Sequence, residues 1–411
     1  MSEILIVGAG QAGLQLALGL VADGHEVTVI SNRAPDDIRT GRVMSSQCMF
    51  DAALRHERDL GIDFWADECP DVEGISLAVP APDGSGKAID WASRLDRPAQ
   101  SVDQRVKMPG WMEKLEEGGG RVVIHDVGIE DLERYTQEND LVIVAAGKGE
   151  IVSLFARDAE RSPYDTPMRA LALTYVRGMT PRPEFSAVCF NLIPTVGEYF
   201  VFPALTTTGD CEIMVFEGIP GGPMDCWGEV ATPAEHLARS KWILETFMPW
   251  EAERCREVEL TDENGILAGR FPPTVRKPVA ELPSGRLVLG LADAIMLNDP
   301  ITGQGSNNAA KMAAAYLAAI RANGEAPYDR GFMERAFEGF WQGYGRYTTA
   351  WTNALLSPPP DHVLQLLGAG NGSPEIAHRF VNGFDNPVDY FDWFMFPDKA
   401  EAYLAEVGAA A

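Results

Sequence analysis

A chain of 411 residues, 46% hydrophobic and 23% charged, is long enough to bury a large core and to divide into two lobes. Its 34 lysines and arginines stand against 60 aspartates and glutamates, a formal charge of −26, and such a surface repels the phosphates of nucleic acids and of anionic lipids. A small neutral molecule is the ligand class that remains, since no run approaches the roughly 20 apolar residues of a membrane helix.

The chain opens with ILIVGAGQAGLQLALGLVADGHEVTVI. An apolar strand from Ile4 to Val7, a glycine turn, a helix ending at Gly24 and a strand from Glu26 to Ile30 make a βαβ unit. RVVIHDV at 121–127 and DLVIVAAG at 140–147 have the pattern of further buried strands. Residues 161–280 carry short alternating runs, LALTYVRG, SAVCFNLI, GEYFVFP and CEIMVFEG, expected to form a mostly antiparallel sheet. RLVLGL at 286–291 returns to the buried-strand pattern, and the alanine-rich stretch after DPITGQGSNNAA predicts a helix. The last eighty or so residues are helical and aromatic, broken at Pro358, Pro359 and Pro360, with a frayed EVGAAA end.

Gly8, Gly10 and Gly13 form G-x-G-x-x-G between a strand and a helix. The first glycine makes the tight turn, the second lets backbone approach a pyrophosphate, and the third packs helix on sheet. An ADP-containing cofactor is implied. The acidic ribose partner usual after the second strand is missing. Ser31, Asn32 and Arg33 stand there, so a hydroxyl or amide would bind the ribose and Arg33 would face a phosphate. Far downstream, Asp293 is placed to accept from ribityl hydroxyls, and Pro300 to Asn308 would turn into the positive end of a helix suited to an electron-rich flavin.

Six cysteines lack C-x-x-C spacing, six histidines lack ligand spacing, and no signal peptide opens the chain. A cytoplasmic protein without a metal site is expected.

IVGAGQAG, Arg42 in TGRVM, VDQR at 102–105, LVIVAAG and GLADA followed by DPITGQG resemble the flavoprotein monooxygenases of the glutathione-reductase-like FAD fold. With TTAWTNALLSPPP, the resemblance narrows to the epoxidase subunit of the two-component styrene and indole monooxygenases and extends over nearly the whole chain. It implies an α/β FAD-binding Rossmann fold, discontinuous over 1–160 and 281–330, with an inserted antiparallel substrate domain at 161–280 and a helical region at 331–411. It implies FAD reduced by a separate NADH-dependent flavin reductase, dioxygen and a small apolar aromatic substrate, and is compatible with a homodimer. FAD contacts would come from Gly8, Gly10, Ala12, Gly13, Ser31, Asn32, Arg33, Arg42, Arg105, Val127, Ala146, Gly147, Asp293, Pro300, Gly303, Gly305, Ser306 and Asn307.

At the positions that divide the two branches of that family stand Ser45, Gln47, Met49, Val72, Ile75 and Ala99, a set similar to the indole-oxidising branch. The resemblance implies a flavin C4a-hydroperoxide, positioned by Pro300, Thr302 and Gly303, that transfers oxygen to the C2=C3 bond of indole, with styrene and thioethers as further substrates. No side chain is expected to act as acid or base. Gln47 would accept the indole N–H. Three rivals are a single-component NAD(P)H-dependent aromatic hydroxylase, a non-redox FAD-fold binding protein, and a flavin halogenase, for which no G-x-W-x-W-x-I motif is present.

Overall fold

Strand Glu3–Val7 is apolar and buried from Ile4 to Val7 because it lies at the centre of a sheet covered on both faces. In the computed structural model, which describes residues 1–147 and 149–408, this sheet runs in the order Val279–Glu281, Leu287–Gly290, Leu141–Val144, Glu3–Val7, Glu26–Ser31, Arg121–Ile124. All neighbours are parallel except the first pair. Helix Gln11–Ala22 crosses from the first to the second parallel strand and packs on helix Gly305–Asn323. A Cβ at Gly19 would come within 2.5 Å of Leu317 there, so a larger residue would part the two helices. Strand Arg121–Ile124 departs from the expected burial. It is the sheet's outer edge, and Val123 and Ile124 are exposed.

The second sheet has eight strands, ordered Glu259–Leu260, Ala170–Arg177, Gly209–Gly218, Gly197–Thr206, Ala187–Ile193, Asp71–Pro80, Lys87–Gln100, with Ile266–Gly269 also on Ala170–Arg177. Its pairs are antiparallel apart from Asp71–Pro80 against Ala187–Ile193. The hairpin 71–100 thus lies within 1–160 by sequence and within the second sheet by pairing. Within 161–280, where a mostly antiparallel sheet was expected, the chain also builds a helix, Pro233–Phe247. Its start carries a capping box: Thr232 accepts from the Glu235 amide at 3.2 Å and Glu235 accepts from the Thr232 amide at 3.0 Å.

The C-terminal helices cover the hairpin. Trp91 donates its indole N–H to the Leu367 carbonyl at 2.8 Å, and Asn382 accepts from the Asp96 amide. Between helices Arg330–Phe340 and Arg346–Leu355 the segment Trp341–Gly345 widens into one π-helical turn, a feature that often marks function. The last described helix is Pro397–Glu406; residues 409–411 of the EVGAAA end, expected to fray, lie outside the described residues. Among the described residues, no helix is long and apolar enough to cross a membrane.

Candidate functional site

Three neighbouring strands of the first sheet end side by side, and their ends carry the first glycine turn, Ala145 to Gly147, and Asp293. Gly8 has φ +122°, and a Cβ there would lie 2.8 Å from the Ala145 carbonyl carbon and the Ala146 nitrogen, so only glycine lets the two turns meet. A Cβ on Gly13 would come 2.0 Å from the Gly8 carbonyl oxygen, the close packing its place in the motif demands. At Gly10 an added Cβ meets nothing within 4 Å. Helix Gln11–Ala22 starts there with no side-chain cap and no acidic residue in its first turn. Its first N–H groups have no side-chain cap and the Gly10 side of the turn is open, which is what an entering pyrophosphate requires.

A Cβ on Gly147 would stand 2.7 Å from the Cβ of Asp293. The first and last parts of the chain therefore share one crevice at the strand carboxyl ends, the usual ligand position in such sheets. Ala292, with φ 51°, breaks the preceding strand into the short turn Ala292–Ala294. Pro300–Thr302 forms another short turn, capped when Asp299 accepts from the Ile301 amide at 3.2 Å, and Gly303 follows at φ 63°. Helix Gly305–Asn323 then begins without a side-chain cap or an acidic residue in its first turn. Gly303 and Gly305 are exposed, Ser306 half-buried. These two uncapped helix starts and the glycine cradle fit a flavin dinucleotide.

The apolar residues meet beside the second turn. Val72 and Ala99 are direct cross-strand partners. They and Ile75 are fully buried, in a cluster with Phe50, Ile301 and Trp351. Met49 exchanges two backbone hydrogen bonds with Gln100, next to Ala99, and packs on Ala53, Leu54 and Ala310. Asn307, expected at the cofactor, holds this segment in place with its carboxamide. It donates to the Cys48 and Gly303 carbonyls at 2.9 Å each and accepts from the Phe50 amide at 2.9 Å. Its backbone N–H belongs to the first turn of helix Gly305–Asn323. Gln47 is buried. It donates to the Val102 carbonyl at 2.6 Å and accepts from the Ser45 hydroxyl at 3.3 Å. Thr302 is buried and shares a hydrogen bond with Thr352 at 2.6 Å.

Other expected cofactor contacts have protein partners. Arg105 engages all five donors: Nε on Asp103 at 2.9 Å, Nη1 on Asp262 at 3.0 Å and the Gly41 carbonyl, Nη2 on Asp262 and Thr206 at 3.1 Å each. That leaves none for a cofactor, so its role is to tie the second sheet to the loop after Thr40. Burial works against Asp262, yet Arg105 holds its carboxyl below the ordinary range. The Ser31 hydroxyl is turned back onto Arg33, donating to its carbonyl at 2.7 Å and accepting from its amide, and Arg33 meets the Met44 sulfur. Asn32 and Arg42 are exposed, while Ala12 is buried and Val127 and Ala146 are partly buried.

Two polar networks were not anticipated. Lys107, buried, donates to Glu57 at 2.5 Å; Gln11, the first residue of the first helix, donates to Glu57 at 3.0 Å and to Gln15 at 3.1 Å; and Gln15 donates to the Ala310 carbonyl at 2.9 Å. The first glycine helix and the second are joined through them. On the other side, Tyr344 of the π-turn donates to Gln304 at 2.9 Å, and Lys311 donates to Tyr344 at 2.8 Å and to the Asp385 carbonyl. Burial pulls the Lys311 ammonium down to about 8, although Asp385 opposes the shift. Gln304 in turn donates to the Phe384 carbonyl at 2.9 Å. A lysine inside VKMPGW is the sequence signal for the first network, since a charge in an otherwise apolar stretch has to find a partner.

Comparison with known proteins adds relatives to this geometry. A family model described as "Styrene monooxygenase A putative substrate binding domain" matches residues 147–254. Styrene monooxygenase StyA of Pseudomonas fluorescens is 30% identical over 409 residues, 97% of this chain and 96% of that protein. StyA of a Pseudomonas species is likewise 30% identical over 98% of each chain. Among solved structures, the myxobacterial FAD-dependent halogenase CndH superposes with TM-score 0.63 at 13% identity, covering 86% of this chain and 81% of its own. A flavoprotein of Cytophaga hutchinsonii gives 0.63 at 15%, covering 93% and 92%. At such identities the structural likeness shows the fold alone, that of FAD-binding proteins of the Rossmann type.

Proposed function

The chain belongs to the styrene monooxygenase family and is a flavin-dependent monooxygenase with FAD as its cofactor, and from that premise we propose that it takes FAD reduced by a separate NADH-dependent flavin reductase and epoxidises the C2=C3 bond of indole. Styrene and thioethers are further substrates. The observation that supports the indole assignment is the set Ser45, Gln47, Met49, Val72, Ile75 and Ala99, of which Val72, Ile75 and Ala99 lie in the hairpin 71–100 and cluster with Ile301 of the second glycine turn.

FAD supplies the activation of dioxygen when bound and reduced. The protein's own residues bind, orient and exclude water. The helix starts at Gly10 and at Gly305 would hold the pyrophosphate and the flavin's electron-rich side through their N–H groups. Asp293 would accept from ribityl hydroxyls, and Pro300, Thr302 and Gly303 would border the site of oxygen transfer. Met49, Val72, Ile75 and Ala99 wall off a dry slot that orients a planar aromatic substrate, and Gln47 keeps a lone pair for the indole N–H. Residues 1–160 and 281–330 would hold FAD, and 161–280 with the hairpin 71–100 would hold substrate.

Purified protein, FAD, NADH and a flavin reductase are combined in air with indole, styrene or a thioether. Blue pigment from indole, with the epoxide and sulfoxide from the others, is the expected result. Bleaching of FAD by NADH under argon without the reductase would replace the two-component assignment with a single-component one.

A further inference from the structure

Glu217 lies in the strand Gly209–Gly218 as the one acid in the run IMVFEG, and it has no solvent exposure. Among the described residues, neither of its carboxyl oxygens has a hydrogen-bond donor, and the same holds for Oδ2 of buried Asp299, the residue that opens the turn Pro300–Thr302. The ionisable groups facing the pair are few. Glu198 is Glu217's direct cross-strand partner, and Arg169 grips it with two hydrogen bonds, 2.7 and 2.9 Å. The guanidinium's remaining bonds go to the Met168 and Leu356 carbonyls.

Charge counting then constrains the pair. Arg169 and Glu198 neutralise each other, which leaves two buried carboxyl groups and, among the described residues, no second cation against them. The Glu217 and Asp299 carboxyls lie within side-chain hydrogen-bonding reach of each other, and two such groups cannot both stay ionised without water, so one proton has to be shared. Asp299 accepts the Ile301 amide with its other oxygen, the work of a carboxylate, so the proton belongs to Glu217. Burial, followed by the charges of Asp299 and Glu198, pushes Glu217 well above the usual carboxylic acid range, with Arg169 opposing; burial also raises Asp299.

We propose that Glu217 is kept as a neutral acid whose proton is donated to Asp299, and that this clasp is the positioning element by which the second sheet fixes the turn Pro300–Gly303 against the flavin. Glu217 is a positioning residue, acting through Asp299. Its consequence for turnover rests on the flavin placement proposed above; the clasp itself does not, and the experiment separates the two.

The first arm uses the protein without flavin. The infrared spectrum of the wild type at neutral pH should contain the C=O stretch of a protonated, water-free carboxyl group that Glu217→Gln lacks. The raised acid retains its proton when folded and loses it when unfolded, so wild-type stability falls as pH rises above the ordinary carboxyl range. Relative to Glu217→Gln, which keeps a donor for Asp299 at every pH, the folding equilibrium constant should fall about tenfold per pH unit until the clasp itself ionises. No such band, or parallel stability curves for the two proteins, overturns the clasp. The second arm measures hydrogen peroxide released per substrate oxidised by the reductase-supplied protein. The ratio should rise with pH in the wild type, stay flat in Glu217→Gln, and be high at all pH values in Glu217→Ala. A ratio independent of pH in the wild type and unchanged in both variants overturns the positioning role even where the first arm holds, and FAD protection against heat, measured in parallel, reports separately on whether the flavin binds.

Discussion

Gly147 and Asp293 approach so closely that a methyl group on the glycine would stand 2.7 Å from the aspartate's Cβ. The carboxyl end of one parallel strand and the turn after its neighbour are thereby packed directly against each other. Gly147→Ala must move Asp293 or the strand end. We expect a stability loss of about 1 to 3 kcal/mol and at least a tenfold weaker hold on FAD, measured by thermal shift with and without the cofactor. Unaltered FAD protection would detach Asp293 from the ribityl role.

Arg105 tests the opposite expectation. With Asp103 and Arg105 almost fully buried, Arg105→Met leaves a buried carboxylate uncompensated and should cost about 3 kcal/mol, read as a lower denaturant midpoint. The folded variant should bind FAD as before. Because Asp262 is held below the usual aspartate value of 3.8, its pairing stabilises the protein above that pH and is lost as the pH falls through the folded value. The wild type's acid-side decline should therefore be steeper than the variant's.

Lys311 gives a signal at the alkaline end. Its ammonium is pulled from the usual 10.5 to about 8, so between those values the unfolded chain binds a proton that the folded protein does not, and stability rises with pH across that window. Lys311→Met should abolish the rise. Tyr344→Phe should cost about 1 kcal/mol and loosen Gln304, seen as faster amide exchange at the start of helix Gly305–Asn323.

Gln47→Val removes both the donor to the Val102 carbonyl and the acceptor offered to indole. The ratio of indole to styrene oxidation should fall severalfold, alongside a stability loss of about 1 kcal/mol. An unchanged ratio would leave Gln47 with the Val102 contact as its whole role.

The two glycine turns could be found in the sequence because a tight turn before a helix is a local demand that only certain residues meet. Arg105 could not be placed the same way. Whether a guanidinium faces a phosphate or Asp262, 157 positions away, depends on a tertiary pairing that no neighbouring residue announces. Helix Pro233–Phe247 had its signal in Thr232, Pro233 and Glu235, but the alternating runs before it favoured sheet. The hairpin 71–100 also had one, in the PDGSG turn whose Gly84 and Gly86 take positive φ. Its partner strand begins at Ala187, which is why its place in the second sheet stayed hidden.

That distant pairing has a kinetic consequence. The first sheet needs strands from Glu3 to Gly290, and the second takes strands on both sides of Arg121–Ile124 and Leu141–Val144, which belong to the first. On the ribosome, neither layer can close before most of the polypeptide has emerged, and the exposed edges of each must wait through synthesis. Such interleaving slows folding and lengthens exposure to aggregation, so expression at low temperature or with chaperones should raise the soluble yield more than it would for a chain whose lobes follow one another in sequence.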